Sequence, residues 1–176
     1  MGISQPLRLV VDRRRDAAEI ARFEASYVRG PEPDDCAIWV GPIGTDGYPR
    51  FWVRRGGPER IMLRGARYAI ALARNGVALE PWERALHGCN NPGCVRTSDL
   101  ADRGLVHVVA GSQQQNMIQM ARSGRGGGRR LIQRGRAGTA ERRERAVALR
   151  EAVRHGWDAD AVAAALLASG NHLTLW

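Results

Sequence analysis

LHGCNNPGCV at residues 86–95, followed by HVVAGSQQQNM at residues 107–117, decides how this chain is read. Cys89 and Cys94 flank Asn90-Asn91-Pro92-Gly93, a turn composition that folds the chain back and lets both sulfurs face one point. Thiolates and imidazoles suit a borderline-soft ion such as Zn²⁺ in tetrahedral geometry. Cys36, from an earlier segment, is expected as a third ligand and His107 as the fourth. Such a Cys₃His set leaves no open position, which marks a structural site. Few large apolar residues surround this loop, so a metal is expected to supply folding energy that the local core lacks.

Two further residues stand at telling distances from the loop. His87 lies two residues before Cys89 and is held rigidly once Cys89 is pinned, as a general base requires. Asn116 falls in the first turns of the helix expected after His107, where its carbonyl oxygen offers a hard ligand for Mg²⁺. Ser112 is the expected N-cap of that helix and Gln115 its capping-box partner. Taken singly, an imidazole or a helical amide says little; the order His, two spaced cysteines, His, Gly-Ser, Asn carries the argument.

Outward from this centre, residues 12–28 read as an amphipathic helix with Ala17, Ile20, Phe23 and Tyr27 on one face, closed by Pro31 and Pro33. Strand-like runs at 37–40, 50–54 and 60–63 are separated by turn signals at 44–47 and 56–58, which predicts a small antiparallel meander. Residues 66–74 are expected to form a helix ended by Asn75-Gly76. Residues 123–138 (SGRGGGRRLIQRGRAG) have the composition of a basic linker. Thr139 is expected to start a helix running to about residue 154, with Ala146, Leu149, Ala152 and Val153 as its apolar stripe. His155-Gly156 breaks it, and Asp158 caps a second helix to about residue 168. The tail at 169–176 reads as extended.

Charge points to a polyanionic partner. The 176 residues carry a formal net charge of +9, and all 27 basic residues are Arg. GC-rich coding alone explains the lack of Lys, while the guanidinium fork also suits phosphate and guanine. Residues 122–154 hold 11 Arg against 3 acidic residues, so nearly the whole excess is concentrated there. That distribution favours a nucleic-acid-binding segment. The segment at 3–11 is too short and too broken by Gln5, Pro6 and Arg8 for a signal peptide. No run approaches the roughly 18 apolar residues of a membrane span. A cytoplasmic location without membrane contact is the expectation, and the odd count of three cysteines speaks against a disulfide framework.

The loop and the segment from His107 to Arg125, together with Cys36-Ala37-Ile38-Trp39, Asp46-Gly47-Tyr48-Pro49-Arg50-Phe51 and Arg67-Tyr68-Ala69, resemble the HNH endonucleases that carry the zinc-binding loop of homing endonucleases, of phage or mobile-element type. The resemblance covers residues 34–128. It implies a zinc-stapled ββα-metal core; with the helices read on either side, the expected fold is α+β, a small antiparallel sheet carrying that core, an N-terminal helix and a C-terminal helical pair. The corresponding domains are an N-terminal arm at 1–33, the nuclease core at 34–124, the Gly/Arg linker at 125–138 and a C-terminal module at 139–176.

It further implies metal-dependent hydrolysis of double-stranded DNA with His87 as base and Asn116 on a catalytic Mg²⁺ or other divalent ion, leaving 5′-phosphate and 3′-hydroxyl ends. Arg67 is the phosphate clamp by family position, and a surface helix charge otherwise. The usual Pro-x-His after the second cysteine is replaced by Val95-Arg96-Thr97-Ser98-Asp99 and about eight extra residues. Asp99 keeps the spacing from the cysteines; His107 keeps the spacing to Asn116 and the imidazole, and is favoured. Paired cuts would call for a homodimer. The C-terminal helices read either as a DNA-docking module or as a hairpin packed on the core. Two non-enzymatic roles compete: a zinc-dependent DNA-binding protein that does not cut, and a packaging accessory whose partners are phage packaging proteins.

Overall fold

The computed structural model describes residues 8–99, 104–122 and 131–167. Its elements run α1 (Ala17–Glu24), β1 (Tyr27–Arg29), β2 (Ala37–Trp39), β3 (Arg50–Val53), β4 (Ile61–Arg64), α2 (Gly65–Arg74), β5 (Arg84–His87), β6 (Val108–Gly111), α3 (Gln113–Arg122), α4 (Leu131–Ala152) and α5 (Ala159–Leu167). The chain is therefore α+β, as expected. The strands form three antiparallel pairs, β1–β2, β3–β4 and β5–β6, rather than one meander. Residues 12–28 also do not form one helix: α1 stops at Glu24, and Tyr27 pairs with Trp39 across β1–β2. Aromatic and β-branched residues at 27–28 favour extended backbone once a partner strand is present.

The core forms where these pairs meet two helices. Ile20 and Phe23 of α1, Trp39 of β2, Phe51 and Val53 of β3 and Tyr68 of α2 are all buried. Phe23 lies 4.5 Å from Tyr68, 5.2 Å from Phe51 and 5.4 Å from Trp39, ring centre to ring centre. Tilted and edge contacts at these distances add to the area they bury. α2 lies across this cluster with seven buried positions and ends at Asn75, whose φ of 42° is left-handed. Asn tolerates that conformation better than most residues. The metal-ligand region contributes Cys94, Val95 and Val108 to this core, a thin apolar share.

A second core lies on the other side of β2. Leu149 and Val153 of α4 and Val162 and Ala165 of α5 bury themselves against Ile38, with Val28, Val40 and the edge of Cys36 packed around them. The C-terminal helices are thus seated on β2, and packing accounts for the apolar stripe of both. α5 starts where expected: the Asp158 carboxylate accepts the Ala161 N–H at 2.9 Å. α4 begins at Leu131 instead of Thr139, so residues 131–138, read as linker from their glycine and arginine content, are helical. Residues 123–130 and 168–176 lie outside the described residues, and with them the rest of that linker and the extended tail.

Candidate metal centre and its surroundings

Three backbone pairings assemble the ligands. An isolated bridge joins Ile38 to Cys94, while Trp39 N–H donates to Gly93 O at 3.0 Å and Val95 N–H to Ala37 O at 2.9 Å. They bring Cys36 alongside the 89–94 loop. Within that loop Asn90 takes a left-handed φ of 54°. Buried Asn91 accepts the Gly93 N–H on its side-chain oxygen at 2.9 Å, which closes the turn between the two cysteines. His107 returns at the head of β6: Gly88 N–H donates to His107 O at 2.8 Å, and His107 N–H to Ser98 Oγ at 2.8 Å. Gly88 has no room for a side chain, because a Cβ there would collide with the Val106 carbonyl oxygen.

Cys36, Cys89, Cys94 and His107 offer one donor atom each, all within 4.8 Å of one another. His107 Nδ1 stands 3.8 Å from Cys36 Sγ and 3.7 Å from Cys94 Sγ. His107 and Cys94 are buried, while Cys36 and Cys89 are partly so. These four side chains can hold a metal ion. Asp99, the competing fourth ligand, is exposed and outside the cluster. The chain leaves the loop, makes its excursion, and comes back as a strand with His107 in front of the sulfurs.

The sulfurs do not titrate alike. Hydrogen bonds with Cys36 and Cys94 hold Cys89 well below the ordinary thiol value, with further help from His87. The hydrogen bond to Cys89 in turn pushes Cys36 up to about 12. Burial first, then the neighbouring sulfurs, push Cys94 up. Metal binding requires thiolates, so the three mutually hydrogen-bonded thiols would release protons to an ion bound among them.

β5, β6 and α3 succeed one another around this centre. β5 and β6 pair antiparallel with His87 opposite Val108. The capping box forms as expected: Gln115 N–H donates to Ser112 Oγ at 3.1 Å, and Ser112 N–H to Gln115 Oε1 at 2.7 Å. α3 is tied back to β5 at the candidate base, because Gln119 Nε2 donates to the His87 carbonyl at 2.8 Å. Asn116 lies three residues before Gln119, on the same face of α3, and is partly buried. His87 itself is half-buried, its Nδ1 enclosed without a hydrogen bond and its ring 6.2 Å from that of Tyr48.

Arg67 is engaged elsewhere. Its guanidinium donates to the carbonyls of Glu83 and, at 3.2 Å, Glu80, which fixes the turn leading into β5. Sequence reasoning missed Gln119 and the cluster around Tyr48. A Gln three residues beyond Asn116 was the available signal for the first; the second joins residues about a hundred positions apart and has no local signature.

No family model, curated protein or solved structure matches the chain. No helix among the described residues is long and apolar enough to cross a membrane.

Proposed function

We propose that this chain is a zinc-stapled, metal-dependent HNH-type endonuclease acting on double-stranded DNA. One observation carries the reading: the strand end bearing His87 is tied to the four-ligand cluster on one side and to the Asn116 face of α3 on the other. Zinc fits the donors. Bonds of about 2.3 Å to sulfur and about 2.0 Å to nitrogen in a tetrahedron put S and N about 3.5 Å apart, against 3.7 and 3.8 Å here. Three sulfurs and an imidazole do not suit Mg²⁺, whereas the Asn116 amide oxygen does.

In this mechanism Cys36, Cys89, Cys94 and His107 hold the zinc and thereby fix His87. The His87 imidazole takes the proton from a water directed at the scissile phosphorus. Asn116 would hold the catalytic Mg²⁺ or other divalent ion, whose charge would offset that developing on the phosphate and the departing 3′ oxygen. As its bond to phosphorus breaks, the 3′ oxygen takes a proton from solvent water, leaving a 5′-phosphate and a 3′-hydroxyl. Arg67 holds the turn before β5 in place through the Glu80 and Glu83 carbonyls.

The test is cleavage of plasmid DNA by zinc-loaded protein with Mg²⁺, with sequencing of the ends. His87→Ala is expected to keep its zinc and lower cleavage by roughly 10²–10⁴-fold; Asn116→Ala is expected to lower cleavage and shift the metal dependence. A chain that binds duplex DNA but never cuts it would be a zinc-dependent DNA-binding protein, and one that does neither would leave the packaging-accessory role.

A further inference from the structure

The turn at 44–48 carries an unusual crowd of cations beside His87. Asp46 pairs with Arg50 at 2.8 Å and Arg64 at 3.1 Å. Arg142, from α4, donates through Nε to the Asp46 carbonyl at 2.7 Å. Its guanidinium carbon lies 5.2 Å from the centre of the Tyr48 ring, and that of Arg64 lies 4.4 Å from the same ring. Two guanidinium groups therefore share one carboxylate, and a third, Arg142, sits on the backbone carbonyl of the same residue. Arg142 is the one without an acid: its hydrogen bonds go to the Asp46 carbonyl and, at 3.4 Å, the Thr139 hydroxyl. Among the described residues no carboxylate pairs with it.

The backbone shows that this contact is built in. A Cβ on Gly47 would lie 2.9 Å from the Arg142 carbonyl carbon and from the Arg143 nitrogen, and Gly47 has a φ of 80°. α4 rides directly on the turn at the one position where only glycine permits both the close approach and the conformation. The Tyr48 ring, 6.2 Å from that of His87, then carries both Arg142 and Arg64 next to the candidate base. An aromatic face holds a guanidinium in place while leaving its N–H edge to accept a ligand. Excess positive charge oriented in this way matches a phosphodiester, which offers paired oxygens to the guanidinium fork.

We propose that Arg142, delivered by α4 across Gly47 onto Tyr48, works with Arg64 to grip a DNA phosphate neighbouring the one addressed by His87. The inference rests on the nuclease reading for its ligand. It makes the C-terminal helix a part of the DNA groove, although the pair is held on the core by packing.

The experiment measures binding of a fluorescein-labelled random-sequence DNA duplex to the full zinc-loaded chain across a salt series without Mg²⁺. Arg142→Gln keeps a donor for the Asp46 carbonyl and removes the charge. Its binding is expected to weaken about 3- to 10-fold, and the slope of log affinity against log salt to fall by about 0.9, the value for one phosphate contact. Arg142→Lys should keep the slope. A purely structural anchor would move the melting temperature and leave the slope alone.

If Arg142→Gln does not fold, Arg64→Gln reads the other half of the clamp and should show the same fall. An unchanged slope in whichever variant folds overturns the proposal. Failure of the wild-type chain to cleave or bind DNA would instead remove the nuclease reading beneath it.

Discussion

Cys94 is the ligand on which the centre depends most. It is fully buried, its sulfur faces His107, and the loop and β2 meet at its backbone. Serine in its place keeps the size and loses the soft donor, leaving two thiols and an imidazole that cannot close a tetrahedron. Cys94→Ser is expected to lower zinc content below one equivalent and to destabilise the chain by on the order of 4 kcal/mol, the range reached when a structural metal is lost. Metal analysis with a urea titration checks this; full zinc content and an unmoved midpoint would remove the staple. The ligand types were legible in the sequence because the turn between Cys89 and Cys94 is written in local residues. The choice of His107 over Asp99 was not fixed by spacing, since it depends on where an eight-residue excursion returns. Arg67 shows a further limit: its hydrogen bonds to the Glu80 and Glu83 carbonyls have no signal in its sequence neighbours.

Among the elements, those governed by caps were the easiest to read. Ser112 with Gln115 and Asp158 start their helices as expected because a capping hydrogen bond spans only a few residues. Strand partners were harder: β2 chooses β1 and β3 chooses β4 through contacts that local composition does not encode. The first half of α4 was obscured by its glycines, which lower helix propensity without forbidding a helix, while its arginines are good helix formers that were read only as linker charge. Burial decides the second half, where Leu149 is fully enclosed between α5 and Ile38 of β2. Leu149→Ala should cost about 2–4 kcal/mol from lost transfer energy and the cavity left behind. Chemical denaturation measures it, and a loss below about 0.5 kcal/mol would mean that the helix pair is not docked in solution.

For the whole molecule the decisive fact is that Cys36 touches both cores. Its edge packs with the aromatic cluster on one side of β2 and with the Leu149–Val162 cluster on the other, and its sulfur belongs to the ligand set. A metal at that set is therefore coupled to the C-terminal helices through β2, although none of its ligands comes from them. Without an ion, the 89–94 loop would be held to β2 by its backbone hydrogen bonds alone. The strand that seats α4 then loses its support on the opposite face. Chelation is expected to raise hydrogen exchange together in residues 36–39, 89–95 and 146–165, and to return all three to protection when Zn²⁺ is restored. If the C-terminal pair were an independent module carried on a tether, exchange at 146–165 would stay unchanged while the other two segments opened. The linkage also means that the charge held by α4 near His87 depends on zinc: a stripped chain should lose the Arg142 contribution to the salt dependence of DNA binding even though Arg142 itself is intact. Observing full salt dependence in a chain proven free of metal would separate the two functions and break this coupling.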